Sequence, residues 1–353
     1  MKRRPGNKPT VAITVGDYNG IGPEIILKSV TQRSIRRICT PILVGPSAAF
    51  ELYARKLRLP LPLQRIKYSK RSLSILDGTS ISSSVPLIES STLSRSVISP
   101  GKVTKHAGQT SLRAITLAVN LARAGTVDAI VTAPISKQAL HRAGSRFPGH
   151  TELLEHLTSS ARVAMMLVSP KMRIGLATIH IPLSEVPATL SRGLLRKRIQ
   201  TIHNALVTDC RIRKPKLAIL GLNPHAGENG EIGLEEKKII RPVIRTLRGK
   251  GMSIEGPFPA DAFFGTYKRG SFDAIVAMYH DQGLIPLKMS SFEEGVNVTV
   301  GLPIVRTSPD HGTAFDIAGQ GVANPSSMMM AIKLAAEIAR NRKRSTRHVG
   351  RRE

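Results

Sequence analysis

Asp273-Ala274-Ile275-Val276-Ala277-Met278-Tyr279-His280-Asp281-Gln282-Gly283 is a short apolar run that ends on a histidine. Two other stretches share the design: Ile174–Ile179 leads to His180, and Leu217–Leu222 leads to Asn223-Pro224-His225-Ala226-Gly227. Short runs of Val, Ile and Leu between Gly and Pro read as buried strands of a parallel sheet. In open α/β sheets the ligand crevice lies outside the carboxyl ends of the strands. Three imidazoles there suit one divalent metal with coordination positions left open for substrate. A lone histidine is more often structural. The same residue at the same point of three strands is what favours the metal reading.

The rest of the chain repeats the alternation. Val11–Val15 is an apolar strand that enters Gly16-Asp17-Tyr18-Asn19-Gly20-Ile21-Gly22-Pro23-Glu24 and then an amphipathic stretch. Pro23 suits a first helical turn and Glu24 its positive end. The turn is not a dinucleotide fingerprint, because Ile25 stands where the third glycine belongs. Pro41–Gly45 reads as a strand, Pro46–Leu57 and Lys105–Ala124 as helices, and Asp128–Thr132 as a strand. Further strands are expected near 163–168, 173–179, 216–222, 273–279 and 297–300. Helices are expected near 190–208, 234–248 and 326–340. The Ser-rich stretch 69–99 reads as short strands and loops. This order means an α/β fold with mostly parallel sheets. The length of 353 residues accommodates two domains. The expected division is 1–140 with 308–353 as a cofactor-side domain, and 141–307 as the metal, substrate and dimerisation domain.

The chain has 52 Lys and Arg against 24 Asp and Glu, a net charge of +28. That excess favours anionic partners, among them phosphorylated metabolites, dinucleotides and polyanions. The basic termini read as disordered, solvated tails. A nucleic-acid or polyanion binder is the reading from another functional class. With no Trp, 5 Tyr and 8 Phe there is little to stack bases, and no nucleic-acid motif is present. No stretch approaches the roughly 18 apolar residues of a membrane span. The basic start lacks the long apolar run of a secretory signal. Cys39 and Cys210 form no disulfide or metal spacing. A cytoplasmic location is the expectation.

Polar residues gather in the same loops as the histidines. Lys137 and the pair His150-Thr151 follow one strand, and Asp261 lies in Pro259-Ala260-Asp261-Ala262. Lys288 follows His280, Asn297 opens a strand, and Arg306 closes Leu302-Pro303-Ile304-Val305. A Lys–Arg pair with a Thr hydroxyl suits phosphate or carboxylate. A second glycine-rich element runs from Asp310 to Pro325, and such loops let backbone approach a ligand closely.

These motifs appear together and in order. Gly16-Asp17 with Gly20–Glu24, Gly149-His150-Thr151-Glu152, Ala177–Leu183, Gly221–Glu228 and Met278–Gly283 resemble the 4-hydroxythreonine-4-phosphate dehydrogenase family of pyridoxal phosphate biosynthesis. The resemblance covers roughly residues 10 to 340. It implies two α/β/α domains flanking a cleft, an isopropylmalate dehydrogenase-like fold, and a homodimer with the active site near its interface. It implies oxidation of a small phosphorylated substrate by NAD, or NADP, followed by loss of carbon dioxide. It makes His180, His225 and His280 the ligands of a divalent metal (Zn, Co, Mg or Mn), and His150, Thr151, Lys288, Asn297 and Arg306 the substrate-binding residues. The Asp310–Pro325 block looks like the cofactor loop of the wider isopropylmalate and isocitrate dehydrogenase group. By that analogy His311, Gly312, Thr313, Asp316 and Asn324 bind NAD. Lys137 and Asp261 are candidate proton carriers by loop position. Relatives act on threonate or erythronate 4-phosphates, and some on aromatic dihydrodiols. Tyr18-Asn19 stands where the family commonly carries Pro-Ala.

Overall fold

All five residues of Thr10–Thr14 (β1) are buried, which is what a strand covered on both faces requires. The computed structural model describes residues 8–59, 62–66, 84–147 and 149–349. The chain divides into two units, the first running to Ser159 and resuming over Leu302–Arg340, the second comprising Ser160–Gly301 and the residues from Asn341 onward.

In the first unit β1 is followed by α1 (Gly22–Val30), α2 (Arg33–Ile38), β2 (Thr40–Val44), α3 (Ser47–Lys56), β3 (Leu63–Ile66) and β4 (Val85–Ile88). Then come α4 (Lys105–Arg123), β5 (Ala129–Thr132), α5 (Lys137–Arg142) and α6 (His150–Thr158). Its strands lie in the order β3-β4-β2-β1-β5, with β12 (Arg306–Pro309) beyond β5. All these pairings are parallel. Val11, Ile13, Ile42, Leu43, Ile130 and Val131 form its fully buried middle, and Ile25, Phe50, Ile115 and Ala118 pack down from the helices.

The second unit runs β6 (Ala164–Val168), β7 (Arg173–Leu176), α7 (Val186–Thr189), α8 (Arg192–Thr208), β8 (Lys216–Leu220) and α9 (Arg241–Arg248). It continues with β9 (Ser253–Phe258), α10 (Ala260–Thr266), β10 (Ala274–Ala277), α11 (His280–Ser291) and β11 (Val296–Val300). The strand order is β11-β6-β7-β10-β8-β9. β7, β10, β8 and β9 are parallel, whereas β6 is antiparallel to both β7 and β11. The core joins Leu167, Ile174, Leu176, Leu220, Ile275, Leu284 and Leu287. Gly283 lets α11 lie close on the sheet, since a Cβ there would stand 2.6 Å from the Ile174 Cγ2 atom.

The expected α/β architecture with mostly parallel strands is what forms. The reading of the carboxyl-terminal tail as solvated and disordered is corrected. The last helix, α12 (Ser326–Val349), runs well past Arg340. Arg342 donates to both carboxylate oxygens of buried Asp209, Nε at 2.7 Å and Nη2 at 3.0 Å, and the Asn341 amide donates to the Asp209 carbonyl at 2.7 Å. A bidentate partner turns that part of the charge run into a docked helix. Of the Ser-rich stretch, 69–83 lies outside the described residues, as do 1–7 and 350–353 of the tails. β4 and a short helical turn at Arg95–Val97 fall in the part of the stretch that is described.

Candidate active site

β7, β10 and β8 are adjacent and parallel. His180, His280 and His225 follow their carboxyl ends in that order. The three histidines thus follow three neighbouring strands of one unit. His180 and His280 meet: their ring centroids are 5.6 Å apart. Both line a cavity of about 230 Å³ with Thr178, Ile179, Tyr279 and Asp281.

His280 opens α11, and its Nδ1 donates to Asp281 Oδ1 at 2.7 Å. With that proton on Nδ1, the Nε2 lone pair remains for a metal, the usual arrangement of a carboxylate-oriented ligand. Gln282 steadies the same turn. Its Oε1 accepts from Met278 N and its Nε2 donates to Gly221 O, both at 2.7 Å. The end of β10 is thus tied to the end of β8.

His225 is held differently. Residues 225–229 all have positive φ, from +38° at Glu228 to +79° at Gly227. His180 is left-handed too, at φ +43°. Each non-glycine residue in that region costs on the order of 1 kcal/mol, and such strain collects at functional sites. Buried Glu236 braces the turn: Oε1 accepts from Leu222 N at 2.6 Å and Asn223 N at 2.8 Å, and Oε2 from Asn223 Nδ2 at 2.9 Å. Among the described residues, no group of three His, Cys, Asp or Glu side chains is close enough to share one ion. The structure pairs His180 with His280, and the left-handed turn rather than the strand end sets the place of His225. The donor chemistry fits a divalent metal at the pair.

The remaining expected residues fall in two groups. In the second unit Lys288 is half-buried on α11, and Asn297 lies on β11 with its Oδ1 buried and without a hydrogen-bond partner among the described residues. Asp261 is exposed in the first turn of α10. In the first unit Arg306 begins β12 and is only 2% exposed. Its guanidinium donates to Thr132 Oγ1 from Nε at 3.2 Å and Nη2 at 2.7 Å. Burial lowers its pKa to about 9, which still leaves a cation at neutral pH. His150 and Thr151 open α6. Burial, then the nearby Arg306 charge, holds the His150 pKa well below its ordinary range, and its Nε2 is buried without a partner among the described residues. A buried cation beside a neutral imidazole has the donors that an anion requires. Lys137 is exposed at the start of α5, where Ser136 caps the helix through Ala139 N at 3.1 Å.

The second glycine-rich loop lies in the first unit. Gly312 is exposed, with nothing within 4 Å of a Cβ built there, so its backbone is open to a ligand. Asp316 and Asn324 are exposed, and Asn324 Oδ1 accepts from Ser326 N at 2.9 Å at the start of α12. The Thr313 carbonyl accepts from Ile21 N at 2.9 Å, and His311 Nδ1 lies 3.1 Å from Gly312 O. Sequence reasoning missed Thr132, Glu236, Asp281 and Gln282 as site residues. Asp281 and Gln282 stood in the quoted motif. Thr132 and Glu236 gave no signal, because each acts on a partner distant in the chain.

Residues 37–335 match the family model described as pyridoxal phosphate biosynthetic protein PdxA. Over 337 residues the chain is 43% identical to the 4-hydroxythreonine-4-phosphate dehydrogenase of Trichlorobacter lovleyi, covering 95% of this chain and 99% of the relative. Over 342 residues it is 43% identical to the D-threonate 4-phosphate dehydrogenase of Cupriavidus necator, covering 95% and 98%. The crystal structure of 4-hydroxythreonine-4-phosphate dehydrogenase from Klebsiella pneumoniae superposes with a TM-score of 0.82 at 39% identity, covering 94% of this chain and 100% of that one.

Proposed function

The chain belongs to the PdxA family of pyridoxal phosphate biosynthetic proteins, and on that premise we propose that it oxidises 4-phosphohydroxy-L-threonine with NAD. The C3–H bond gives up its hydrogen as a hydride to the cofactor, and the C3 hydroxyl gives up its proton, leaving a ketone. The resulting β-keto acid loses carbon dioxide, and protonation of the remaining carbon gives 3-amino-2-oxopropyl phosphate. The observation that carries this reading is that three neighbouring parallel strands, β7, β10 and β8, are each followed by a histidine, two of which are in contact.

His180 and His280 would hold a divalent metal, with His225 completing the set only once its left-handed turn brings it to the pair, and imidazole donors would favour zinc or cobalt. A metal held there would supply positive charge near the reacting oxygen. A nicotinamide cofactor, NAD rather than NADP in the leading reading, would serve as the hydride acceptor. Asp281 keeps His280 in the binding tautomer. Arg306, His150 and Thr151 hold an anionic end of the substrate, and the closeness of a buried guanidinium to a neutral imidazole supports this. Asn297 Oδ1 needs a donor that the described residues do not provide, which a substrate hydroxyl or ammonium supplies. Lys288 adds a second cation. Lys137 and Asp261 carry protons, and their exposure keeps them in exchange with solvent. His311, Gly312, Thr313, Asp316 and Asn324 bind the cofactor, Gly312 by its open backbone.

The protein acts as a homodimer in the cytoplasm. Support for the dimer comes from α11 and its cap, where Ile285, Met289 and Phe292 expose 58%, 85% and 78% of their surface on one helical face. Such a stripe calls for an apolar partner. Among the described residues no helix is long and apolar enough to cross a membrane.

The second reading is the same reaction on D-threonate 4-phosphate, favoured by the equal 43% identity to a dehydrogenase of that name. The two substrates differ by an amine against a hydroxyl. Comparing kcat/KM for both decides it. A preference of roughly 100-fold for the amino acid supports the leading reading, and the reverse preference replaces it.

A further inference from the structure

We propose that Glu24 and Lys28 are positioning residues for the nicotinamide cofactor: their ion pair fixes the carboxyl-terminal half of the 310–325 loop in its binding shape. This rests on the reading of that loop as the cofactor's. Glu24 lies in the first turn of α1 with its side chain fully buried, and Lys28, one turn on, is 23% exposed. Lys28 Nζ donates to Glu24 Oε1 at 2.8 Å. The same Oε1 accepts from Ala323 N at 2.8 Å, and Oε2 accepts from Gly321 N at 3.2 Å. Lys28 Nζ also donates to the carbonyls of Gly321 and Ala323, both at 2.8 Å. One ion pair thus satisfies the N–H and C=O groups of two residues 293 to 299 positions away.

The other end of the loop is fastened by the same turn of chain. Ile21 N donates to Thr313 O at 2.9 Å. Gly20 makes that approach possible, because a Cβ there would lie 2.7 Å from the same carbonyl oxygen. Residues 314–320 hang between the two fastenings, with Ala314 and Gly319 left-handed at φ +42° and +79°. Asp316 stands exposed on this span, and exposed Asn324 follows the second fastening directly.

An exposed i,i+4 pair contributes only tenths of a kcal/mol to a helix. A buried carboxylate costs several times that in desolvation unless hydrogen bonds replace its water. Here the replacement bonds go to the peptide groups of an irregular loop, which have no helix or sheet partner of their own. The pair therefore serves the shape of the loop more than the stability of α1. A loop ordered before binding spares the cofactor the entropy of ordering it.

Lys28→Met keeps the length and removes the charge and the donors, and Lys28→Arg is the conservative control. The readouts are backbone amide exchange at Gly321 and Ala323, KM and kcat with saturating substrate, the cofactor dissociation constant, and metal affinity. Lys28→Met is expected to speed exchange at both amides and raise cofactor KM and Kd about tenfold, with kcat within about threefold. Metal affinity stays unchanged, and Lys28→Arg recovers most of the loss. Should the lysine variant not fold, Glu24→Gln gives the same readouts. Asp316→Ala and Asn324→Ala separate the two levels. If they weaken cofactor binding while a folded Lys28→Met does not, the positioning role is overturned. If none of the three weakens it, the loop is not the cofactor's, and both readings fall.

Discussion

His180 and His280 face each other across a small cavity with ring centroids 5.6 Å apart, each just beyond the end of one of two paired parallel strands. His280 is oriented by Asp281, and His180 sits on a left-handed backbone that an ordinary loop residue avoids. Replacing either histidine by alanine is expected to weaken divalent-metal binding at least 100-fold. Asp281→Asn, which leaves the ring but not its orienting charge, weakens it about 10- to 100-fold. Competition against a chromophoric chelator measures both. Unchanged affinity in His280→Ala would remove this pair from the metal site.

Arg306 is a buried guanidinium that donates twice to the Thr132 hydroxyl. A lysine offers one point charge instead of a planar fork. Arg306→Lys is therefore expected to lower kcat/KM for the phosphorylated substrate roughly 30- to 1000-fold, about 2–4 kcal/mol, mainly through KM. Steady-state kinetics on a folded variant checks it. An unaltered KM would place the substrate anion elsewhere.

His150 stays neutral in the folded protein well below its ordinary pKa of 6.5. The unfolded chain takes up that proton near the ordinary value, so folded and unfolded states differ below it. Stability should fall as the pH drops through about 6.5 and continue falling toward the lower folded value. His150→Gln should flatten this limb of the pH–stability curve. Denaturant titrations at a series of pH values test it, and an unaltered slope in the variant would contradict it.

Asp17 shows the opposite sense. Burial raises its pKa from 3.8 to about 6, Asn19 N donates to Oδ1 at 3.0 Å, and Oδ2 is buried without a partner among the described residues. The folded state holds this proton longer than the unfolded chain, so the ionised carboxylate destabilises the fold increasingly as pH rises from about 4 to about 6. Asp17→Asn should add about 2–3 kcal/mol at pH near 8 and almost nothing at pH near 4. Thermal melts at the two pH values give the comparison. A destabilised variant at the higher pH would mean that the negative charge is needed there.

What could be read in advance was local. The three histidine-bearing strands are short runs of Val, Ile and Leu with Gly or Pro beside them, and burial on both faces leaves that composition as its mark. The apolar stripe of α4 marks burial on one face, and the glycines and Pro23 mark the turn before α1. The long-range ties were not. Glu24 reads as a good first-turn residue, and nothing local says that its carboxylate reaches Gly321 and Ala323. Glu236 reads as helix surface, although it braces the turn before His225. The antiparallel direction of β6 leaves no periodic trace, because a fully buried strand is apolar whichever way it runs. The left-handed turn at 225–229 was hidden because only one of its five residues is glycine.

The most direct measurement is reduced-cofactor formation from 4-phosphohydroxy-L-threonine and NAD by the metal-loaded protein, the chelator-treated protein and His225→Ala. The account predicts turnover in the first, none in the second until divalent metal is restored, and a loss of at least 100-fold in the third. Turnover by a folded His225→Ala protein at the unsubstituted rate, or turnover indifferent to chelation, would contradict the three-histidine metal site.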